Sequence, residues 1–460
     1  MFVETNDIKS VIVNIDGLIK IDGQRQICPQ SLIRNSGVDI SQVGFESEVS
    51  EALKYLADRY NVRVVSSFSE SELRDILAFC FDPPLVVERF PALNSLEKTV
   101  LTWPISRAVV SCGTKPCESV FLCGDITTIS QAQSLRLGTI FWEPESMEES
   151  DRISLLKKGP DFIVENGQQM VDVFEGQYLG YLAEVASSPR WFFGKPRKGQ
   201  YVNIISFPNS ESPQHAIHVG GRYFKKDDPR NRKHALSLRI LDSKKRMHRH
   251  KGQFARIIGE MVLHLVGDEF DCVTRAPPKP NEAEDRMREQ IEYIPRLELH
   301  GKKIGAERIR PGLLKCLREY IPQKEIGSYE ARRDNVRGAF GVDGDVRGKA
   351  VVVVDDITTS GSTLMEISGL LFQEGAKRVI PMALSYHPEN LTPSEEILQC
   401  PSCGSVLVPR HNNKDGSPFY GCREYFETKC NGSMKFVDGV RELNNKIELE
   451  EWEEFEDIEF

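Results

Sequence analysis

One stretch of the 460-residue chain constrains the fold more than any other: residues 350–363, AVVVVDDITTSGST. Five apolar residues in a row read as a buried strand, and two acids stand at its C-terminal end. A loop of hydroxyl residues follows, then Gly361, then Ser362–Phe372 with Leu364, Ile367 and Leu371 at helical spacing. A strand that turns tightly into a helix points successive backbone N–H groups, and the helix N-terminus, at one place. Such a place suits an anion. The hydroxyls of Thr359, Ser360, Ser362 and Thr363 add donors. Asp355 and Asp356 can accept hydrogen bonds from two adjacent hydroxyls, or reach a Mg²⁺ through water. A helix N-cap with two acids complementing the dipole explains one hydroxyl and one acid, not the whole run. A diol beside a phosphate describes ribose 5-phosphate.

The stretch resembles the binding motif for phosphoribosyl pyrophosphate (PRPP) in type I phosphoribosyltransferases. The preceding Arg332-Arg333-Asp334-Asn335-Val336-Arg337-Gly338-Ala339-Phe340 is similar to the ComF-type branch. The resemblance implies a parallel sheet with a hood, binding Mg²⁺ and PRPP. Asp355 and Asp356 would take the ribose hydroxyls as catalytic residues, and Thr358, Thr359, Ser360, Gly361, Ser362 and Thr363 would form the PRPP loop. Arg275, at the end of Cys272–Pro277, would be a catalytic pyrophosphate donor. The polar stretch 278–310 would include a mobile flap over the site. Purine-salvage relatives carry an acid where Thr359 stands, which argues against a purine acceptor. The expected chemistry is attack of a nitrogen nucleophile on C1 of PRPP, aided by Mg²⁺ and basic residues.

Residues 8–165 alternate apolar strands (Val11–Ile15, Val62–Val65, Val120–Cys123, Thr139–Trp142) with helical spacing, as in Val49–Arg59. That alternation predicts an open α/β sheet. Residues 11–18 (VIVNIDGL), 62–67 (VRVVSS) and 121–127 (FLCGDIT) resemble, in order, motifs of the haloacid-dehalogenase (HAD) superfamily. Active members carry two acids in the first motif, one of them the nucleophile. Here Asn14 takes the nucleophile's place and Asp16 remains. Asp125 is kept, but Ile129 and Ser130 stand where a second acid is expected. The resemblance therefore implies a hydrolase fold without hydrolase chemistry, serving binding or scaffolding. Lys98 or Lys115 would meet the third motif.

Cys400, Cys403, Cys422 and Cys430 are spaced two plus two, the first pair on a C-x-x-C-G knuckle. Four thiolates so placed can close a tetrahedral structural Zn²⁺ site in a segment too small for its own core. The residues between them resemble the zinc ribbons of type IA topoisomerases. This implies single-stranded DNA or RNA binding by Arg410, Lys414, Phe419, Tyr420, Arg423 and Tyr425. The alternative is a knuckle whose aromatics pack on its own strands.

Charge is unevenly spread. The net charge is −9, and residues 448–460 alone carry eight acids with no Lys or Arg. Their interleaved apolar residues suit a protein partner or a self-masking helix. By contrast, Arg222–Arg256 holds thirteen Lys and Arg against three Asp, enough to attract phosphates or to form a solvated basic face. No stretch approaches the ~20 apolar residues of a membrane span. Seven scattered cysteines beside the cluster, and the lack of a secretion signal, predict a cytoplasmic protein.

The expected organisation is all α/β until the ribbon. A Rossmann-like HAD-type domain (1–185) leads through a linker (186–201) to a type I phosphoribosyltransferase domain (202–387), a small four-cysteine zinc ribbon (398–436) and an acidic tail (437–460). The leading functional expectation is a PRPP-dependent phosphoribosyltransferase. The rival is a regulator or effector, of the kind found in bacterial stress or phage-defence systems, that senses PRPP or nucleotides and binds DNA or RNA.

Overall fold

The computed structural model describes residues 8–21, 24–25, 43–66, 87–89, 105, 108–109, 112–114, 116–145, 147–188, 201–207, 216–226, 228, 230–231, 234–246, 248–280, 285–321, 326, 329–389, 398, 400–403, 407–412, 418–422, 425–435 and 438. Lys98, Lys115, Lys414, Arg423 and the acidic tail from 439 onward lie outside them.

Six strands build the first sheet: β1 (Ser10–Asn14), β2 (Asn61–Ser66), β3 (Val87–Arg89), β4 (Ser119–Cys123), β5 (Gly138–Trp142) and β6 (Phe162–Val164). All pair in parallel, in the spatial order β3-β2-β1-β4-β5-β6. Strands β1, β4 and β5 are buried along their whole lengths, as apolar runs covered on both faces must be. Helix α1 (Ser47–Ala57) buries Val49, Ala52, Leu53 and Leu56, a stripe at helical spacing. The strand order reverses between β1 and β4, so a crevice opens at their C-terminal ends.

The second sheet holds β7 (Ile205–Phe207), β8 (Ile217–Val219), β9 (Cys272–Arg275), β10 (Ala350–Thr358) and β11 (Arg378–Tyr386), in the order β7-β8-β11-β10-β9. Strand β7 is antiparallel to β8, and the others run in parallel. Val351 to Val354 of β10 are fully buried in its middle. The long helix α2 (Lys251–Val266), α3 (Arg286–Tyr293) and α4 (Ser362–Gln373) cover the faces. Outside the sheet, Leu314–Cys316 pairs with Phe340–Val342 as a small antiparallel ribbon. The cysteine segment forms a three-stranded antiparallel sheet of β12 (Leu407–His411), β13 (Pro418–Cys422) and β14 (Ser433–Lys435).

Three expectations change on contact with the structure. Residues 285–310 do not form a free flap: they contain α3, and Ile291, Ile294, Leu299 and Ile304 are buried in the core under the second sheet, while 281–284 lie outside the described residues. The boundary at 185–186 falls inside the helix Leu182–Ser187, whose Ala183 N–H donates to Gly220 O at 2.8 Å. Finally, the basic stretch is not all surface. Arg222 and Arg230 are 2% and 5% exposed. Arg222 pairs with Asp161 at 3.1 Å and Glu184 at 2.8 Å, and donates to Gly159 O. Arg230 pairs with Asp228 and donates to Gln133 Oε1 and Glu389 O. These two guanidiniums tie the first α/β unit to the second. Among the described residues no helix is long and apolar enough to cross a membrane.

Candidate functional site

Strand β10 delivers Asp355 and Asp356 to the C-terminal edge of the second sheet, where the chain turns into α4. Each carboxylate folds back on the backbone: Asp355 Oδ1 accepts from Asp356 N–H at 2.9 Å, and Asp356 Oδ1 from Ile357 N–H at 2.7 Å. The turn closes at Gly361, in the left-handed region at φ 75°, and a Cβ there would lie 2.3 Å from Ile217 Cδ1. Only glycine meets both conditions. No side chain caps the N-terminus of α4, so its first N–H groups remain directed at the loop. Thr358 is buried and still paired in the strand with Tyr386. Thr359 is exposed, Ser360 and Thr363 are half-buried, and the Ser360 and Ser362 hydroxyls lie 2.9 Å apart.

Burial, and then the charge of Asp356, push the Asp355 carboxyl up to about 7. Two half-buried acids held side by side favour a counter-charge. A divalent cation fits that need, so these residues suit Mg²⁺. Part of the counter-charge already stands nearby: Arg286, at the start of α3, lies 3.6 Å from Asp356.

Arg275 ends β9 beside these acids, but its guanidinium is buried in an ion pair with Asp285 at 2.5 Å. Asp285 also caps α3 by accepting from Arg288 N–H. Asp285 and Arg286 were missed in the sequence. Met287, Ile291 and Ile294 at helical spacing behind Asp285 could have located the helix, but nothing local signals the contact with Asp356.

At the crevice of the first sheet, the retained polar residues meet. Asp16 N–H donates to Asn14 Oδ1 at 3.1 Å, Asn14 Nδ2 donates to Thr128 Oγ1 at 3.2 Å, and the Ser66 hydroxyl donates to Asp16. Asp125 accepts from both the N–H and the hydroxyl of Thr127. Burial raises the Asp125 carboxyl. Gly17 packs against the backbone of Gly124 with no room for a Cβ. At the C-terminal end of β1, Asn14 is thus an amide engaged with a threonine.

In the C-terminal sheet, Cys400, Cys403, Cys422 and Cys430 bring their sulfurs within 4.8 Å of one another. The closest pairs, Cys400–Cys430 and Cys403–Cys422, stand 3.7 and 3.5 Å apart. A tetrahedron with Zn–S bonds of about 2.3 Å has edges of about 3.8 Å, so the donor set fits that metal. Gly432 is required here, since a Cβ would lie 2.1 Å from Cys400 Sγ. Tyr420 corrects the sequence reading: it is fully buried with Leu398, Leu407 and Cys422 and cannot stack on a base. Phe419 is half-buried. Tyr425 is 41% exposed, with the Arg410 guanidinium 5.7 Å from its ring centre.

Comparison with known proteins adds the following. Residues 330–405 match the phosphoribosyl transferase domain family. Over 52 residues the chain is 42% identical to the "DNA utilization protein YhgH" of Escherichia coli K12, and 44% identical to its counterpart in strain O157:H7. Each match covers 11% of this chain and 23% of the relative. Among solved structures, a haloacid dehalogenase-like family protein of Streptococcus pneumoniae is 11% identical, with a TM-score of 0.28, covering 37% of this chain and 99% of its own. The cobalt-bound deoxy-D-mannose-octulosonate 8-phosphate phosphatase of Haemophilus influenzae is 16% identical, with a TM-score of 0.26, covering 38% and 92%. The doubly wound fold of the first unit rests on its strand order and not on these scores.

Proposed function

We propose that the second α/β unit binds PRPP and transfers its ribose 5-phosphate to a nitrogen nucleophile. The C1–N bond forms as the bond from C1 to the pyrophosphate oxygen breaks, and the nucleophile's proton passes to solvent. The observation that carries this reading is the acid pair near the C-terminal end of β10, followed by a turn that closes on the positive-φ Gly361 and by an uncapped helix N-terminus. Asp355 and Asp356 would accept from the ribose hydroxyls. The N–H groups from Thr359 to Thr363, with their hydroxyls, would hold the 5-phosphate. Mg²⁺, when bound, supplies positive charge to the departing pyrophosphate. Arg275 can donate to pyrophosphate only by leaving Asp285, and that observation favours a second reading in which the site senses PRPP without turning it over.

Around this centre, the four cysteines would hold a structural Zn²⁺, and Arg410, Phe419 and Tyr425 would offer a small stacking surface to single-stranded DNA or RNA. The name of the matched relative, a protein of DNA utilization, is consistent with that use. The first unit would act as a scaffold, since Asn14 cannot form an aspartyl phosphate.

Calorimetry with Mg²⁺ and PRPP tests the central reading. The native protein should bind, and the Asp355→Asn, Asp356→Asn double variant should not. Absence of binding in the native protein would overturn the assignment. Pyrophosphate release in a screen of nitrogen acceptors would separate transfer from sensing.

A further inference from the structure

The thirteen cations of residues 222–256 do not form one patch. Two are buried at the seam, and the Arg239 side chain turns inward to Ser187 O. Among the described residues Lys225 and Lys226 are exposed, and a longer exposed run lies between the helix Ala235–Ser243 and α2. Lys244, Lys245, Arg246, His248 and Arg249 are all exposed, and Lys251 opens α2. Two acids face this group. Asp242 lies 3.6 Å from Arg246, 3.7 Å from Arg249 and 2.8 Å from His250. Glu289 lies 2.8 Å from His248 and 4.0 Å from Lys251. The Lys244 ammonium lies 5.5 Å from the Tyr223 ring centre, close enough for its charge to act on Asp355. The surface keeps a clear positive excess.

Its position matters as much as its charge. Arg286, Glu289 and Tyr293 lie on one face of α3, at i, i+3 and i+7. Arg286 reaches Asp356, Glu289 reaches His248 and Lys251, and Tyr293 holds Lys251 over its ring at 5.6 Å. One helix face therefore joins the acid pair to the cationic loop, over about two helical turns or ~10.5 Å. Buried His250 fixes the loop's far end against Asp242.

We propose that the loop 244–251 binds the phosphate backbone of a single-stranded nucleic acid and carries it past the acid pair. Long, exposed Lys and Arg side chains strung along a loop match a run of evenly spaced phosphates better than one compact anion. None of the described residues of the loop is an exposed large hydrophobic group, so the surface lacks the apolar anchor of a membrane-binding element. A single strand, unlike a duplex, leaves bases free to reach a cleft beside the loop. The link to PRPP chemistry rests on the reading given above for Asp355 and Asp356; the binding itself does not.

The test uses the full-length protein and a fluorescent single-stranded 20-nucleotide probe, with affinity measured across a range of NaCl concentrations. The variant Lys244→Glu, Lys245→Glu, Arg246→Glu should lose at least about tenfold in affinity. Its log–log salt slope should become shallower by about 2, near 0.7 for each lost phosphate contact. The milder Lys244→Gln, Lys245→Gln, Arg246→Gln set, checked for an unchanged circular dichroism spectrum, should show the same direction. Unchanged affinity and slope in both sets overturns the proposal, as does loss confined to an Arg410→Ala, Tyr425→Ala variant. Native protein that ignores the probe but binds anionic phosphatidylserine vesicles also overturns it. Mg²⁺–PRPP calorimetry on a Lys245→Gln, Arg246→Gln variant reports on the transferase reading separately, because Lys244, whose charge acts on Asp355, is left in place.

Discussion

At the scale of single residues, the clearest physical signature is a destabilising one. The Asp355 carboxyl is raised by burial and by Asp356. Between about pH 4 and 7 the folded state therefore keeps a proton that the unfolded chain has released, so stability falls as pH rises through that window. Asp355→Asn should raise the melting temperature by a few degrees at pH 8 and change it little near pH 4, while abolishing PRPP binding. Equal melting shifts at both pH values would contradict this origin of the strain. The functional acids themselves were legible in the sequence, because two carboxylates after five apolar residues mark where a buried strand emerges toward a site, although the strand itself runs on through Thr358. Tyr420 was not. An aromatic between Phe419 and Gly421 reads equally well as a stacking surface or a core residue, and only the pairing of β12 with β13 shows that alternate positions face inward.

At the scale of elements, two glycines decide whether the sites can form. Gly361→Ala combines a positive φ with a methyl group driven into Ile217. It should destabilise by about 1–3 kcal/mol and weaken PRPP binding more than tenfold in calorimetry. Adding Ile217→Ala should recover part of the loss by making room, but not the part due to φ. Gly432→Ala would push a methyl group onto Cys400 Sγ, and should lower zinc content in metal analysis as effectively as Cys422→Ser. Full zinc in either variant would remove the four-cysteine site. Strands such as β10 were readable because a buried parallel strand is a continuous apolar run. Helix α3 was hidden, because its anchors Met287, Ile291 and Ile294 are scattered among Arg and Glu, and the stretch reads as a polar loop.

At the scale of the whole molecule, the decisive contacts are those that sequence reading assigned to the surface. Arg222 looks like one cation in a basic run, and its partners Asp161 and Glu184 belong to elements far earlier in the chain. Only the folded arrangement shows it sealed between them, with Gly159 packed against Pro388 and Lys158 paired with Glu389 across the same seam. The Glu184 carboxyl is held well below its usual range, since the charges of Arg222 and His234 outweigh the opposing burial. Removing one partner of such a pair leaves a buried charge alone, at a cost of about 3–5 kcal/mol. Arg222→Ala should therefore lower thermal stability by far more than a surface Arg→Ala change. It should also split calorimetric unfolding into two transitions, as the two sheets lose their common lock. Arg222→Lys cannot make the forked contacts to Asp161, Glu184 and Gly159 O together, and should recover little. A single transition at the native temperature in the alanine variant would show that the apolar contacts of the seam suffice, and that the guanidinium is incidental to holding the first sheet against the second.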